Sequence, residues 1–385
     1  MQGISNLQRP DDGTSRRSPR GRRRSTARLV TWLAGCLAAA LCLTATGPLA
    51  PAAQEAGKTA RALSPDNGAV VIMYHRFGED TLPSTSVRLA QFEAHLDELT
   101  SGAYHVMALP EIVARLRAGE TLPDRAIAIT IDDGALSVYR EAWPRLKARN
   151  LPVTLFIATE PHDLGLPGSM SWSQLREMAA DPLVTIGNHG HAHAHMAWLN
   201  DAEQQADLDK AAARFEAELG RRPALFAYPY GEISLALRRR VENSGFAAAF
   251  GQHSGALGEF ADRFVLPRFP INEAYGDRER FRLVVNALPL PVDGITPADM
   301  SLRSRTQNPP NFGFTLAAPL AGLDGLSCFA SAGEPSLVRL DQRIELRFAA
   351  ALPAGRQRIN CTLRAEGGRW RWFGAQFVVA KEAAP

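Results

Sequence analysis

The stretch Ala126-Ile127-Ala128-Ile129-Thr130-Ile131-Asp132-Asp133-Gly134 is an apolar, β-favouring run that ends in two adjacent carboxylates and a glycine. An uninterrupted apolar run of this kind predicts a strand buried on both faces, as in a parallel sheet. Two carboxylates at the end of such a strand are costly unless something positive lies close by. A metal bound by one of them would depress that one's pKa and leave the other free to act as a base. The competing use of an Asp before Leu136 is as a helix N-cap.

On either side of this stretch, strands and helices alternate. Strands are expected at Ala69–Tyr74, Tyr104–Met107, Val153–Ile157, Val184–Gly187, Leu225–Ala227 and Ala247–Phe250. Helices are expected at Leu89–Leu99, Pro110–Arg117, Leu136–Ala148, from Ser171 or Ser173 to Met178, Asp201–Leu219 and Ser234–Asn243. This rhythm argues for a parallel α/β fold, and the number of repeats suits a barrel better than an open sheet. Chemistry is then expected at the carboxyl ends of the strands.

Gly187-Asn188-His189-Gly190-His191-Ala192-His193-Ala194-His195 directly follows one of these strands. Four of the nine histidines in the chain fall within seven residues. His189/His193 and His191/His195 both have the spacing that turns two imidazoles the same way. A lone histidine is most often a core or solvated residue, but four beside a strand end point to metal ligands. One carboxylate and two imidazoles with open positions describe a catalytic metal site, with the second carboxylate as proton acceptor. The reaction class implied is hydrolysis of an acyl bond. A third motif, Phe226-Ala227-Tyr228-Pro229-Tyr230-Gly231, can present a backbone N–H and an aromatic wall.

The chain has 385 residues with a formal charge of +3, and its pI of about 8.8 hints at nucleic acid or an anionic membrane. Residues 1–28 alone carry eight Arg and two Asp, so the remainder is mildly acidic and a nucleic-acid partner is not expected. An apolar stretch, Leu29–Leu49, and the small residues Ala50-Pro51-Ala52 follow. This is the pattern of an export signal cleaved before Ala53, or, uncleaved, of a membrane anchor. The expected location is periplasmic or cell-surface. Residues 53–67 read as a linker, 68–296 as the α/β domain and 297–385 as a small all-β domain. Cys328 and Cys361 lie in that last unit and form a candidate disulfide in an exported protein. Trp370, Trp372 and Phe373 read either as a sugar-stacking platform or as strand packing.

The order Asp-Asp-Gly, His-x-x-x-His and aromatic-Pro-Tyr-Gly resembles the polysaccharide deacetylases with a NodB-homology domain, carbohydrate esterase family 4. Val71-Ile72-Met73-Tyr74-His75 and Phe226–Gly231 resemble the branch that deacetylates exopolysaccharide N-acetylglucosamine. The resemblance covers roughly residues 68–290 and implies a distorted (β/α) barrel, a divalent metal, usually zinc, and an N-acetylated oligo- or polysaccharide as substrate. It implies Asp132 as general base, Asp133, His189 and His193 as metal ligands, and the Tyr230 N–H as an oxyanion donor. Tyr228 and Pro229 would line the substrate site. The chain departs from the family at Ala227, where an Arg that positions the base often stands, and at Leu266-Pro267-Arg268, where a Leu-x-His is usual. His75 then becomes the first candidate for general acid and His253 the second. Arg268 becomes a candidate partner for Asp132. Two other readings compete: a carbohydrate-binding protein on a degenerate barrel, and an amidase or esterase acting on a non-sugar acyl group.

Overall fold

The structure is a computed structural model and describes residues 63–385. The basic segment, the apolar stretch and the proposed cleavage point lie outside the described residues. Among the described residues, no helix is long and apolar enough to cross a membrane.

Six parallel strands form the frame. In chain order they are β1 Gly68–Tyr74, β2 Ala126–Asp132, β3 Val153–Ile157, β4 Val184–Asn188, β5 Leu225–Ala227 and β6 Ala248–Phe250, each hydrogen-bonded to the next. A short antiparallel strand, β7 Leu257–Gly258, lies on the far side of β1. The ring is then closed by one segment: Leu266 bridges Phe250 of β6, and β8, Phe269–Pro270, pairs in parallel with Ile72 and Met73 of β1. The result is a distorted barrel, with helices between successive strands.

Alternation along the strands explains the packing. Val70, Ile72 and Tyr74 of β1 face the helices and join a core with Phe92, Leu96 and Phe281. Ala69 and Val71 join a second cluster with Ala126, Ala128, Phe156, Ala227, Ala248 and Phe250. Small residues dominate that inner face because a narrow barrel leaves little room, and Phe156 and Phe250 fill what remains. Each buried Phe contributes about 2–3 kcal/mol of transfer free energy.

The C-terminal unit is two sheets around one core. One sheet pairs Trp370–Val379 with Gly355–Arg364 and the latter with Ser327–Ala330. The other orders Val292–Thr296, Phe312–Leu316, Arg343–Arg347 and Ser336–Leu340. Phe312, Phe314, Ile344, Leu346, Ile359, Leu363 and Phe377 fill the space between them. The unit therefore takes in Val292–Thr296, ahead of the boundary expected at Pro297, because that strand pairs with Phe312–Leu316 rather than with the barrel. Cys328 and Cys361 stand directly opposite one another in an antiparallel pair and are joined as a disulfide.

The other face of the Gly355–Val379 hairpin packs on the barrel. Trp372 meets Phe269 edge-on at 5.1 Å and donates its indole N–H to Asn360 Oδ1. Phe373 packs on Phe314. These two aromatics are packing residues, and the platform reading fails for them.

Candidate active site

Asp132 ends β2, His75 follows β1, His189 follows β4, and Ala227 ends β5, so the motifs gather at the carboxyl end of the sheet. Asp132 is fully buried, and so is Arg268, which reaches it from the ring-closing segment. The guanidinium grips both carboxylate oxygens, at 2.6 Å to Oδ1 and 2.8 Å to Oδ2. Its Nε donates to the Gly251 carbonyl at 2.9 Å, and the group lies over the Phe156 ring. Burial alone would raise the Asp132 pKa, but Arg268, and then His189, outweigh it and hold the carboxyl below its usual range. Asp132 is thus ionised and fixed in direction.

Asp133 turns the other way. It adopts a left-handed backbone (φ 71°), its N–H donates to the Phe156 carbonyl, and its own carbonyl lies 3.2 Å from His162 Nε2. Gly134 follows, also left-handed, where a Cβ would sit 2.8 Å from the His162 ring. Burial opposes the Asp133 charge, but His193, His75 and His189 outweigh it, so its pKa lies far below the usual value.

His189 Nδ1 lies 2.7 Å from the Ala227 carbonyl. A carbonyl only accepts, so Nδ1 carries the proton and Nε2 presents its lone pair. That Nε2 faces Asp133 Oδ1 at 3.5 Å, and both atoms are buried without a hydrogen-bond partner. Burial pushes the His189 pKa down to about 4, so the ring stays neutral. A lone pair and a carboxylate oxygen facing each other repel unless a cation lies between them. His193 Nε2 is 3.2 Å from the same oxygen, and its Nδ1 is 3.1 Å from the Tyr230 hydroxyl. Burial works against a charged His193, but Asp133 outweighs it and raises its pKa. The ligand atoms of Asp133, His189 and His193 all lie within 4.8 Å of one another. This donor set, with two orphaned buried atoms in it, fits a divalent metal held by a carboxylate and two imidazoles.

The remaining expected residues divide. His75 is close enough for its charge to act on both Asp132 and Asp133. Tyr230 lies at the site, left-handed (φ 58°), with its ring stacked on His195 at 4.1 Å. His195 pairs with Glu232, and His191 Nδ1 bonds Thr159, so neither belongs to the three-residue group. Tyr228 does not line a substrate site: it is fully buried, packs on Phe226 and donates its hydroxyl to the Phe264 carbonyl. Pro229 is buried as well. His253 lies beneath the surface, beside a cavity of about 530 Å³ between the barrel and the β unit, and burial lowers its pKa to about 4. The structure does not bring it into the group.

Two supports were missed from sequence. Asp207 accepts from the N–H groups of His191 and Ala192, at 2.8 and 2.9 Å, and so fixes the histidine loop. Its signal was present: Gln204, Asp207, Leu208, Ala211 and Phe215 form the buried stripe of helix Asp201–Leu219, and a carboxylate in an apolar stripe asks for a partner. The other is Gln376, far along the chain, whose Nε2 donates to the Gly231 carbonyl at 2.8 Å.

A curled parallel barrel with an ionised carboxylate, a second carboxylate and two imidazoles at its strand ends carries groups suited to hydrolysis of an acyl bond. The comparisons narrow this: residues 119–249 match the family model described as polysaccharide deacetylase, a family of hydrolases that act on amide bonds. The matched region contains Asp132, Asp133, the histidine loop and Tyr230, and stops short of Arg268 and the β unit. The Staphylococcus epidermidis poly-beta-1,6-N-acetyl-D-glucosamine N-deacetylase is 25% identical over 238 residues, 54% of this chain and 81% of that one. The Staphylococcus aureus (strain MRSA252) protein of the same name is 23% identical over 236 residues, covering 54% of this chain and 80% of its own length. In fold, the chain is similar to Streptococcus pyogenes deacetylase PplD in complex with acetate, with a TM-score of 0.53 at 17% identity, covering 57% of this chain and 99% of that one.

Proposed function

We propose that this chain is an exported, metal-dependent N-deacetylase acting on an N-acetylhexosamine oligo- or polysaccharide of the poly-N-acetylglucosamine type. The observation that carries this reading is the pair of orphaned buried atoms, Asp133 Oδ1 and His189 Nε2, facing each other 3.5 Å apart beside an arginine-locked Asp132. A divalent metal, zinc by preference for this donor set, would be held by Asp133, His189 and His193, where it supplies Lewis-acid polarisation of the acetamide carbonyl and acidifies water.

The chain's own groups do the rest. Asp132 takes the proton of the attacking water, and Arg268 keeps its carboxylate ionised and aimed. The N–H of Tyr230 donates to the oxygen on which negative charge develops. His75, at the end of β1, donates a proton to the departing sugar amine. The basic and apolar segment at 1–49 supports export.

The test is acetate release from a panel of N-acetylated oligosaccharides, with and without chelator. Turnover should stop with chelator and return with added metal, and Asp132→Asn should bind metal yet release no acetate. Activity on simple acyl esters alone would favour a non-sugar substrate. Chelator-insensitive turnover would remove the metal from the reading.

A further inference from the structure

The C-terminal β unit reaches the site at the Tyr230 turn. Gln376, on strand Trp370–Val379, is almost fully buried. Its Nε2 donates to the carbonyl oxygens of Gly231 at 2.8 Å and Tyr230 at 3.2 Å. Arg358, directly opposite on the paired strand, donates from Nε to Gln376 Oε1 at 3.3 Å. A guanidinium can only donate, so Oε1 is the atom that faces Arg358 and Nε2 the atom that faces the turn. Arg356, two residues before Arg358 and on the same face of the strand, sets its guanidinium over the Tyr230 ring at 5.6 Å. The β unit thus holds Tyr230 by its backbone and by its ring.

The hairpin is itself held close. Gly374 approaches the barrel so tightly that a Cβ would lie 2.0 Å from the Ser254 carbonyl oxygen, which leaves this strand little freedom to shift. The turn it grips needs support. Tyr230 is left-handed, a conformation that costs a residue with a Cβ roughly 1–2 kcal/mol. Around it, the Gly231 N–H to Tyr228 and the Glu232 N–H to Pro229 are the turn's own hydrogen bonds.

We propose that Gln376 is a positioning residue for hydrolysis, and that the β unit is a working part of the deacetylase site. The inference rests on the reading of the Tyr230 N–H as the oxyanion donor. A backbone donor stabilises developing charge only if it is aimed beforehand, and a turn free to relax must be reordered as the charge forms. By bonding the two carbonyls that follow the Tyr230 N–H, Gln376 removes that freedom.

The experiment uses the full, metal-loaded chain and Gln376→Glu, which keeps the length of the side chain and removes its donor. Gln376→Leu serves as a second variant without the charge. The expected result is a kcat about tenfold or more below wild type with KM and metal content within about twofold. Amide exchange of Gly231 and Glu232 should speed up while that of β1 stays unchanged. Unchanged kcat together with unchanged exchange in both variants would overturn the proposal. Loss of metal, or faster exchange throughout the barrel, would overturn it too, because the residue would then be a general packing group. Should wild type release no acetate from any sugar, the hydrolase reading falls, and the exchange measurement still decides whether Gln376 holds the turn.

Discussion

Arg268 grips both oxygens of Asp132 across 136 positions of sequence, and neither side chain touches solvent. Removing one partner of such a pair leaves an uncompensated buried charge, at a cost of about 3–5 kcal/mol. Arg268→Met should therefore lower the denaturation midpoint sharply and raise the Asp132 pKa. Arg268→Lys keeps the charge and loses the fork, so it should stay folded with kcat reduced about tenfold or more. Denaturant titration and steady-state kinetics on the two variants separate these effects. Full activity in Arg268→Lys would mean that Asp132 needs only a nearby charge.

Asp207 offers a test of the histidine loop. Its carboxylate takes two backbone N–H groups, and Gly190 lies so near that a Cβ would be 2.7 Å from Asp207 Oδ1. Asp207→Ala should free the loop and weaken metal binding about 10–100-fold, as losses of ligand-orienting contacts do. Competition with a fluorescent chelator measures this directly. An unchanged metal affinity would show that His189 and His193 are aimed by their own hydrogen bonds.

Acid should destabilise the fold through His95. Its Nδ1 lies 3.0 Å from the Tyr74 hydroxyl, its Nε2 2.8 Å from the Gly276 carbonyl, and the ring stacks on Phe281. Burial pulls its pKa down to about 4. Between that value and the ordinary 6.5, the unfolded chain binds a proton that the folded chain does not, so stability rises with pH across this window. One such group contributes on the order of 3 kcal/mol over the window. His253 and His189, lowered in the same way, add to the slope. The fall in Tm from pH 7 to 4 should be shallower in His95→Gln than in wild type. Parallel curves would assign the acid sensitivity elsewhere.

The Cys328–Cys361 link closes a loop of 33 positions in the β unit. Loop-closure entropy puts its contribution at about 3–4 kcal/mol. Reduction, or the double Cys→Ser variant, should lower the melting temperature of the β unit. If Gln376 acts as inferred, kcat should decline as that unit loosens. Calorimetry with parallel rate measurements follows both.

The barrel and the reacting groups were readable because their signals are local. Ala126–Ile131 is one apolar run, the histidines fall within a few residues of one another, and each motif sits at a strand end. Arg268 could be raised only as a replacement for a missing Arg, because its contact depends on how the ring closes. Tyr228 has the look of a lining residue because it stands in a loop beside Tyr230, yet it is buried. The strand's alternation places it with Phe226, in the buried layer that also contains Ile233. Gln376 carries no sequence signal for this role, since its partners belong to another unit and are backbone atoms.

Asp133, His193 and Tyr230 all hold left-handed backbones, and none of the three is glycine. Each comes from a different loop, and all meet at one cluster of ligand atoms. The fold therefore carries a standing tension at the place where it works, on the order of a kcal/mol for each residue. Breeding this protein for heat resistance alone would favour relaxing these same turns. The most thermally robust descendants would then tend to be the ones least able to do chemistry.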